Sequence, residues 1–173
     1  MPSMMLISIL CPDQIGLVAM VTGRLFDLGG NLRSTNFAVL GGGAEFTSVC
    51  DISNDLTAEQ IEKELKTLPE LHDAEISVTE FDFAPEHAPH GRATHRIEII
   101  GGDRPGLIAR LSEVFVHFKA NIVRLNAEQI PGSENHYLVR IAAWIPQENA
   151  QTCLATVANT AGELGLKCMW QTD

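Results

Sequence analysis

An internal repeat constrains the fold of this chain more than any other feature. Residues 13–19 match residues 103–109, and the offset of 90 residues holds without a gap as far as residues 37 and 127. Self-similarity at a fixed offset is the mark of a duplicated structural unit, so we expect two copies of one small module. The identical pairs are Asp13/Asp103, Gly16/Gly106, Leu17/Leu107, Ala19/Ala109, Asn31/Asn121 and Asn36/Asn126.

The apolar residues of the two copies also share their spacing. After each shared Asp they recur at intervals of 3, 4 and 3 residues, as one face of a helix requires. The segments before them alternate apolar and polar residues, as half-buried strands do, with Ile7 and Ile9 in one copy and Ile97 and Ile99 in the other. The predicted helical faces are Val18, Val21, Leu25 and Leu28, and Ile108, Leu111, Phe115 and Phe118.

Each copy is predicted to have the element order β-α-β-β-α-β. In the first copy we expect strands over 4–11, 32–40, 45–52 and 74–81, and helices over 14–28 and from 57, where Thr57 and Gln60 can form a capping box. In the second we expect strands over 95–101, 122–130, 136–145 and 166–171, and helices over 105–119 and 149–163. This is the ferredoxin-like α+β arrangement, an antiparallel sheet with both helices on one face. The predicted domains are 1–83 and 94–173, joined by a polar, Pro- and Gly-containing linker over 84–93.

Charge and composition exclude several classes of function. Twelve Lys and Arg against 22 Asp and Glu give a formal net charge of -10, which repels nucleic-acid phosphates. No run approaches the roughly 20 apolar residues of a membrane span, and no basic residue precedes the apolar opening stretch as in a signal peptide. The four cysteines are far apart and no nucleotide, metal or cofactor motif appears. We therefore expect a cytoplasmic protein with reduced thiols and no cofactor or metal, which binds neither nucleic acid nor membranes.

The two Asp-x-x-Gly-Leu segments join the first strand of each copy to its first helix. The sequence predicts Asp13 and Asp103 at the helix N-caps and Pro105 in the first helical turn. Capping alone would explain each Asp, and a close backbone approach would explain each Gly. The alternative is a binding role, because the N–H groups at a helix N-terminus suit a carboxylate.

Asn31 and Asn121 follow the other end of these helices. Either Asn could be the left-handed residue that ends the helix, a conformation that Asn tolerates. The alternative is again a binding role, because an amide offers donors and an acceptor, which a ligand carrying an ammonium and a carboxylate needs. Elsewhere we interpret His87, His90 and His95 as solvated residues in or beside the linker and Cys11 as a small buried apolar residue.

The second copy resembles the ACT-domain family in the segment Asp103–Leu107 followed by Asn121 and Ile122, and the segment 13–17 with Asn31 and Leu32 is similar to a degenerate copy. The resemblance covers nearly all of both halves. Two such domains with little else resemble, more narrowly, the glycine cleavage system transcriptional repressor group. The first copy departs from the family pattern in having Ile15 where the second has Pro105, and the second has Lys119 and Ala120 where the family often has a Gly before the Asn.

This resemblance implies a non-catalytic regulatory protein that binds a small amino acid, with glycine the first candidate. Such a protein would control amino-acid metabolism or its transcription through a protein partner, for which a transcription activator is a candidate, and could form a homodimer. In the family the amino acid lies between the strand-to-helix turn of one domain and the Asn region of a paired domain. Carried over, the ligand-binding residues are Asp13, Gly16, Leu17, Asn31 and Leu32 with Asp103, Gly106, Leu107, Asn121 and Ile122.

Two other hypotheses about function remain open at this point. One is a catalytic protein on the ferredoxin-like scaffold, such as a small hydrolase, because a superfold does not specify a function. The other is an interaction module that has lost its ligand. Turnover would distinguish the first from the regulatory interpretation, and ligand-dependent melting would distinguish the second.

Overall fold

The computed structural model describes residues 3–52, 56–84, 86–132 and 136–173. Contacts between Cα atoms divide the chain into two units, Met1–Phe83 and Ala84–Asp173. Residues 84–93 thus group with the second unit, except Pro85, which lies outside the described residues. A linker role for this segment stays a prediction.

The first module confirms the expected element order. It comprises β1 Ser3–Pro12, α1 Leu17–Asp27, β2 Gly30–Leu40, β3 Gly43–Ile52, α2 Ala58–Lys66 and β4 Glu75–Glu80. The sheet order is β2-β3-β1-β4 with antiparallel pairing throughout, so β2 and β4 are the edges. The predicted capping box is present at α2, where the Gln60 N–H donates to the Thr57 hydroxyl and the Thr57 N–H donates to the Gln60 side chain.

Both helices of this module cover one face of its sheet. Alternate residues of β1 and β3 are buried, as the period of two requires. They form one core with the inward residues of α1 and α2. Val18 is an exception to the predicted helical face: it is 39% exposed, and the inward face of α1 begins instead with Leu17, four residues before Val21. The buried helical residues are Leu17, Val21 and Leu25 on α1 and Ile61 and Leu65 on α2.

The second module repeats this architecture. It comprises β5 His95–Gly102, α3 Leu107–His117, β6 Asn121–Gln129, β7 His136–Trp144, α4 Ala150–Glu163 and β8 Lys167–Thr172, with sheet order β6-β7-β5-β8. Its core joins β5 and β7 to Leu107, Leu111 and Phe115 of α3 and to the inward face of α4. The two-module α+β prediction is therefore confirmed. No helix in the described part of the chain is long and apolar enough to cross a membrane.

Candidate functional site

The turn between the first strand and the first helix has the same geometry in both modules. Gly16 has φ and ψ of 87° and 0°, and Gly106 has 79° and 3°. These are the angles of the third residue of a type II turn, which favours glycine because φ is positive. The closing hydrogen bonds are also present, from the Leu17 N–H to the Gln14 carbonyl at 3.4 Å and from the Leu107 N–H to the Arg104 carbonyl at 3.1 Å.

This turn makes the predicted aspartate N-caps wrong. Each helix begins after its glycine, which is the N-cap residue, and no side chain donates or accepts a capping hydrogen bond there. Three residues lie between each Asp and the first helical residue, Leu17 or Leu107, and neither carboxylate accepts a hydrogen bond from the N–H groups of the first helical turn. Pro105 is not in the helix either; it occupies the second position of the turn, where its fixed φ is favoured.

The carboxylates of Asp13 and Asp103 are exposed, and neither accepts a hydrogen bond from any residue the structure describes. The Asp13 N–H donates to the Gly42 carbonyl at 3.0 Å, which joins the turn to the β2–β3 hairpin. A cleft of about 350 Å³ lies beside Asp13, against the connection from α2 to β4. The candidate glycines face open space, because a Cβ at Gly16 or Gly106 would meet no atom within 4 Å. Their requirement is conformational, and the expected close backbone approach is absent within each described module.

The residue after each Asp ties the turn to the rest of its module, a role that we did not predict. The Gln14 side chain donates to the Glu70 carbonyl at 3.0 Å, and Arg104 donates to the Leu164 carbonyl at 3.3 Å. Both acceptors lie just after the second helix of their module. The sequence signal was only that a polar residue follows Asp in both copies.

Neither asparagine has the left-handed backbone conformation at the end of its helix. That conformation belongs to Gly29, with φ of 77°, and to Lys119, with φ of 56°. Asn31 and Asn121 instead lie at the start of the edge strands β2 and β6. The helix-terminator explanation is therefore wrong for both, and the amide groups need another explanation.

A one-residue β-bulge follows each asparagine. The register of β2 against β3 shifts between Leu32 and Thr35, and that of β6 against β7 shifts between Ile122 and Arg124. Bulges re-aim neighbouring side chains and are common beside functional sites. Leu32 and Ile122 themselves are half-buried and pack against the module cores, so they support the strand start.

The surroundings of the two asparagines differ. Asn31 is exposed, makes no side-chain hydrogen bond with the described residues and lies opposite Asp51 in the ladder. Arg33 donates to the Asp51 carboxylate at 2.6 Å, which adds an ion pair that we had not singled out from the sequence. Asn121 lies opposite Trp144, and its amide donates to the His90 carbonyl at 2.8 Å.

Within one module the turn and the asparagine lie at opposite ends of the first helix. In the first module the turn follows Pro12, which pairs with Gly43, whereas β2 begins at Gly30, which pairs with Ile52. The 11 residues of α1 between them span about 16 Å at 1.5 Å per residue. Neither module by itself brings its two groups of predicted ligand-binding residues together. Leu17 and Leu107, each 3% exposed, belong to the cores.

Three of the four cysteines, Cys11, Cys50 and Cys153, are buried. Burial, with a smaller contribution from the Asp13 charge, raises the pKa of Cys11, and burial as the main cause raises the pKa of Cys50 and of Cys153 to about 11. These cysteines are protonated at neutral pH and pack in the cores, as predicted for Cys11. Among the described residues no group of three or more His, Cys, Asp or Glu side chains could hold a metal ion. His95 is part of β5, and its ring lies 2.9 Å from the Thr94 hydroxyl.

Solved structures match this architecture over the full length of the chain. One is an unknown protein from Galdieria sulphuraria, 19% identical, with 100% of this chain and 99% of that one covered and a TM-score of 0.76. Another is a protein provisionally assigned as a glycine cleavage system transcriptional repressor, 17% identical, with 100% and 98% covered and a TM-score of 0.69. The chain has a tandem ACT fold.

One further match to a solved structure covers only part of the chain. In that comparison 46% of this chain matches 91% of an ACT domain protein from Streptococcus pneumoniae, at 19% identity and a TM-score of 0.41. No protein-family model matches the sequence, and no curated protein matches it.

Proposed function

We propose that this tandem ACT chain is a non-catalytic regulatory protein that binds a small amino acid, with glycine the first candidate. It acts on amino-acid metabolism or its transcription through a protein partner, and it does not bind DNA itself. The provisional name of the structural neighbour, a glycine cleavage system transcriptional repressor, supports the choice of glycine.

The observation that carries this proposal is that neither Asp13 nor Asn31 has the structural role in its helix that the sequence suggested. Asp13 caps no helix, and Asn31 does not end one. Both side chains are exposed and make no side-chain hydrogen bond with the described residues. A carboxylate can accept from an ammonium group, and an amide can bind both ends of a zwitterion, so their chemistry fits a free amino acid.

A ligand that contacts both groups needs more than one module. Because the turn and the asparagine of a module are separated by the length of its first helix, a turn from one module and an asparagine from another have to be combined. A second copy of the chain could supply the other module, which is the reason for proposing a homodimer.

Equilibrium dialysis with radiolabelled glycine tests the proposal. We expect the chain to retain glycine, and unlabelled glycine in excess to release it. The double substitution Asn31→Ala with Asn121→Ala should abolish retention. The matched double variant Asn36→Ala with Asn126→Ala, five residues further along strands β2 and β6, should leave it unchanged. Equal retention by both double variants would remove the asparagines from the site.

A further inference from the structure

The segment before the second module folds onto the start of strand β6. Residues Pro89–Gly91 form a 3-10 turn that lies against β6. The carbonyl oxygen of His90 accepts a hydrogen bond from the Asn121 amide at 2.8 Å. One of the two amide N–H groups of Asn121 is therefore already used inside the chain.

This turn is ordered by its own contacts. The Gly91 N–H donates to the Ala88 carbonyl at 2.8 Å, and the Arg92 N–H donates to the Pro89 carbonyl at 3.2 Å. Pro89 occupies the first position of the turn, where its fixed φ lowers the entropy lost on ordering. A Cβ added at Gly91 would lie 3.3 Å from the Cβ of His87, so the turn is also closely packed. It presents the His90 carbonyl in a fixed position.

The contact makes the two asparagines chemically unequal. A carbonyl oxygen is the same kind of acceptor that the carboxylate of an amino acid presents to an amide N–H. Asn121 already has such an acceptor, whereas Asn31 has none among the residues described. Opposite Asn31 in the ladder lies Asp51, whose carboxylate accepts from Arg33.

We propose that the Pro89–Gly91 turn occupies the ligand-binding position at Asn121, so that an amino acid has to displace the turn in order to bind there. The inference rests on the proposed function. Asn31 is then the asparagine that binds ligand first, and the chain takes up one amino acid at concentrations where the Asn121 position is still closed. The segment 86–91 sets the difference in affinity between the two positions.

Hydrogen–deuterium exchange tests the contact without any ligand. The amides of Gly91 and Arg92 should exchange faster in Asn121→Ala than in the wild-type chain, because the turn loses its anchor on β6. Asn126→Ala, five residues along the same strand, is the matched control and should leave both amides unchanged. Equal exchange in wild type and Asn121→Ala would overturn the anchoring role and the proposal with it.

Calorimetric titration with glycine tests the competition. In a full-length variant, residues 86–91 are replaced by Gly-Ser-Gly-Ser-Gly-Ser, which keeps the length but has no proline to preform the turn. We expect the wild-type chain to bind one glycine per chain and the variant to bind two, or to bind the second at least tenfold more tightly. Identical titrations would overturn the competition. If glycine binds neither the wild-type chain nor the variant, both the proposed function and the competition are contradicted. The exchange experiment would still test the contact between Asn121 and the turn.

Discussion

Asn31, the second residue of the edge strand β2, lies directly opposite Asp51 in the β2–β3 ladder, and the register shifts by one residue just after it. The equivalent of Asp51 in the second module is Trp144, opposite Asn121. The repeat thus preserves the asparagine and the bulge but changes what surrounds them. The Asn31 amide keeps both N–H donors and its oxygen for a ligand, whereas the Asn121 amide already donates one N–H to the His90 carbonyl.

Substitution of Asn31 should weaken ligand binding and leave the fold intact. Loss of a hydrogen bond to a charged group costs about 1.5–3 kcal/mol, so Asn31→Ala should lower the affinity for glycine roughly tenfold to a hundredfold. Asn36→Ala serves as the control, because Asn36 is exposed on the same strand. Calorimetry measures both. An unchanged affinity in Asn31→Ala would show that this amide does not contact the ligand.

Substitution by alanine should change the stability of the first module in opposite directions at two glycines, because Gly16 lies in the type II turn and Gly23 lies in a helix. Gly16→Ala forces an L residue into positive φ and should destabilise the module by about 1–2 kcal/mol. Gly23 lies inside α1, where a Cβ would meet no atom within 4 Å, so Gly23→Ala should stabilise it by roughly 0.5–1 kcal/mol. Urea denaturation measures both free energies of unfolding. Equal effects of the same sign would contradict the turn geometry.

The sequence predicted the modules better than the site. The repeat and the period-two and helical patterns were enough to predict the order of elements along the chain. The capping box at Thr57 was predicted correctly because Gln60 lies only three residues away in the sequence. The N-cap prediction failed at Asp13 because the same Asp and Gly suit either a capped helix or a type II turn, and only the backbone angles separate them. The contact between Asn121 and His90 joins residues that are 31 positions apart, and no local pattern in the linker indicates it.

The buried thiols predict a loss of stability at alkaline pH. Burial raises the pKa of Cys50 and of Cys153 from the ordinary 9.0 to about 11 in the folded chain. Between these values the unfolded chain has released the thiol protons and the folded chain still holds them, so the free energy of unfolding falls as pH rises from about 9 to about 11, and this contribution is fully present below pH 9. Denaturant titrations at several pH values measure it. The double variant Cys50→Ala with Cys153→Ala should show a shallower fall, and an equal slope would contradict the assignment.

The charge of the chain predicts that it does not bind duplex DNA alone. With a formal net charge of -10, it lacks the electrostatic attraction that supplies most non-specific affinity for phosphates. A mobility-shift titration at physiological salt should show no complex. Submicromolar, sequence-selective binding by the isolated chain would overturn the proposal that it acts through a protein partner.

Amino-acid binding by the folded chain can be tested directly by a thermal-shift screen of the purified protein against the twenty amino acids. A ligand at about 100 times its dissociation constant stabilises a folded protein by about 2.7 kcal/mol, which shifts the Tm of a domain this small by several degrees. We expect glycine, or another small amino acid, to raise the Tm of the wild-type chain and of Asn36→Ala, and we expect a smaller shift in Asn31→Ala. If none of the twenty raises the Tm, the chain does not bind a free amino acid, and if the shift is the same in Asn31→Ala, the Asn31 amide does not hold the ligand.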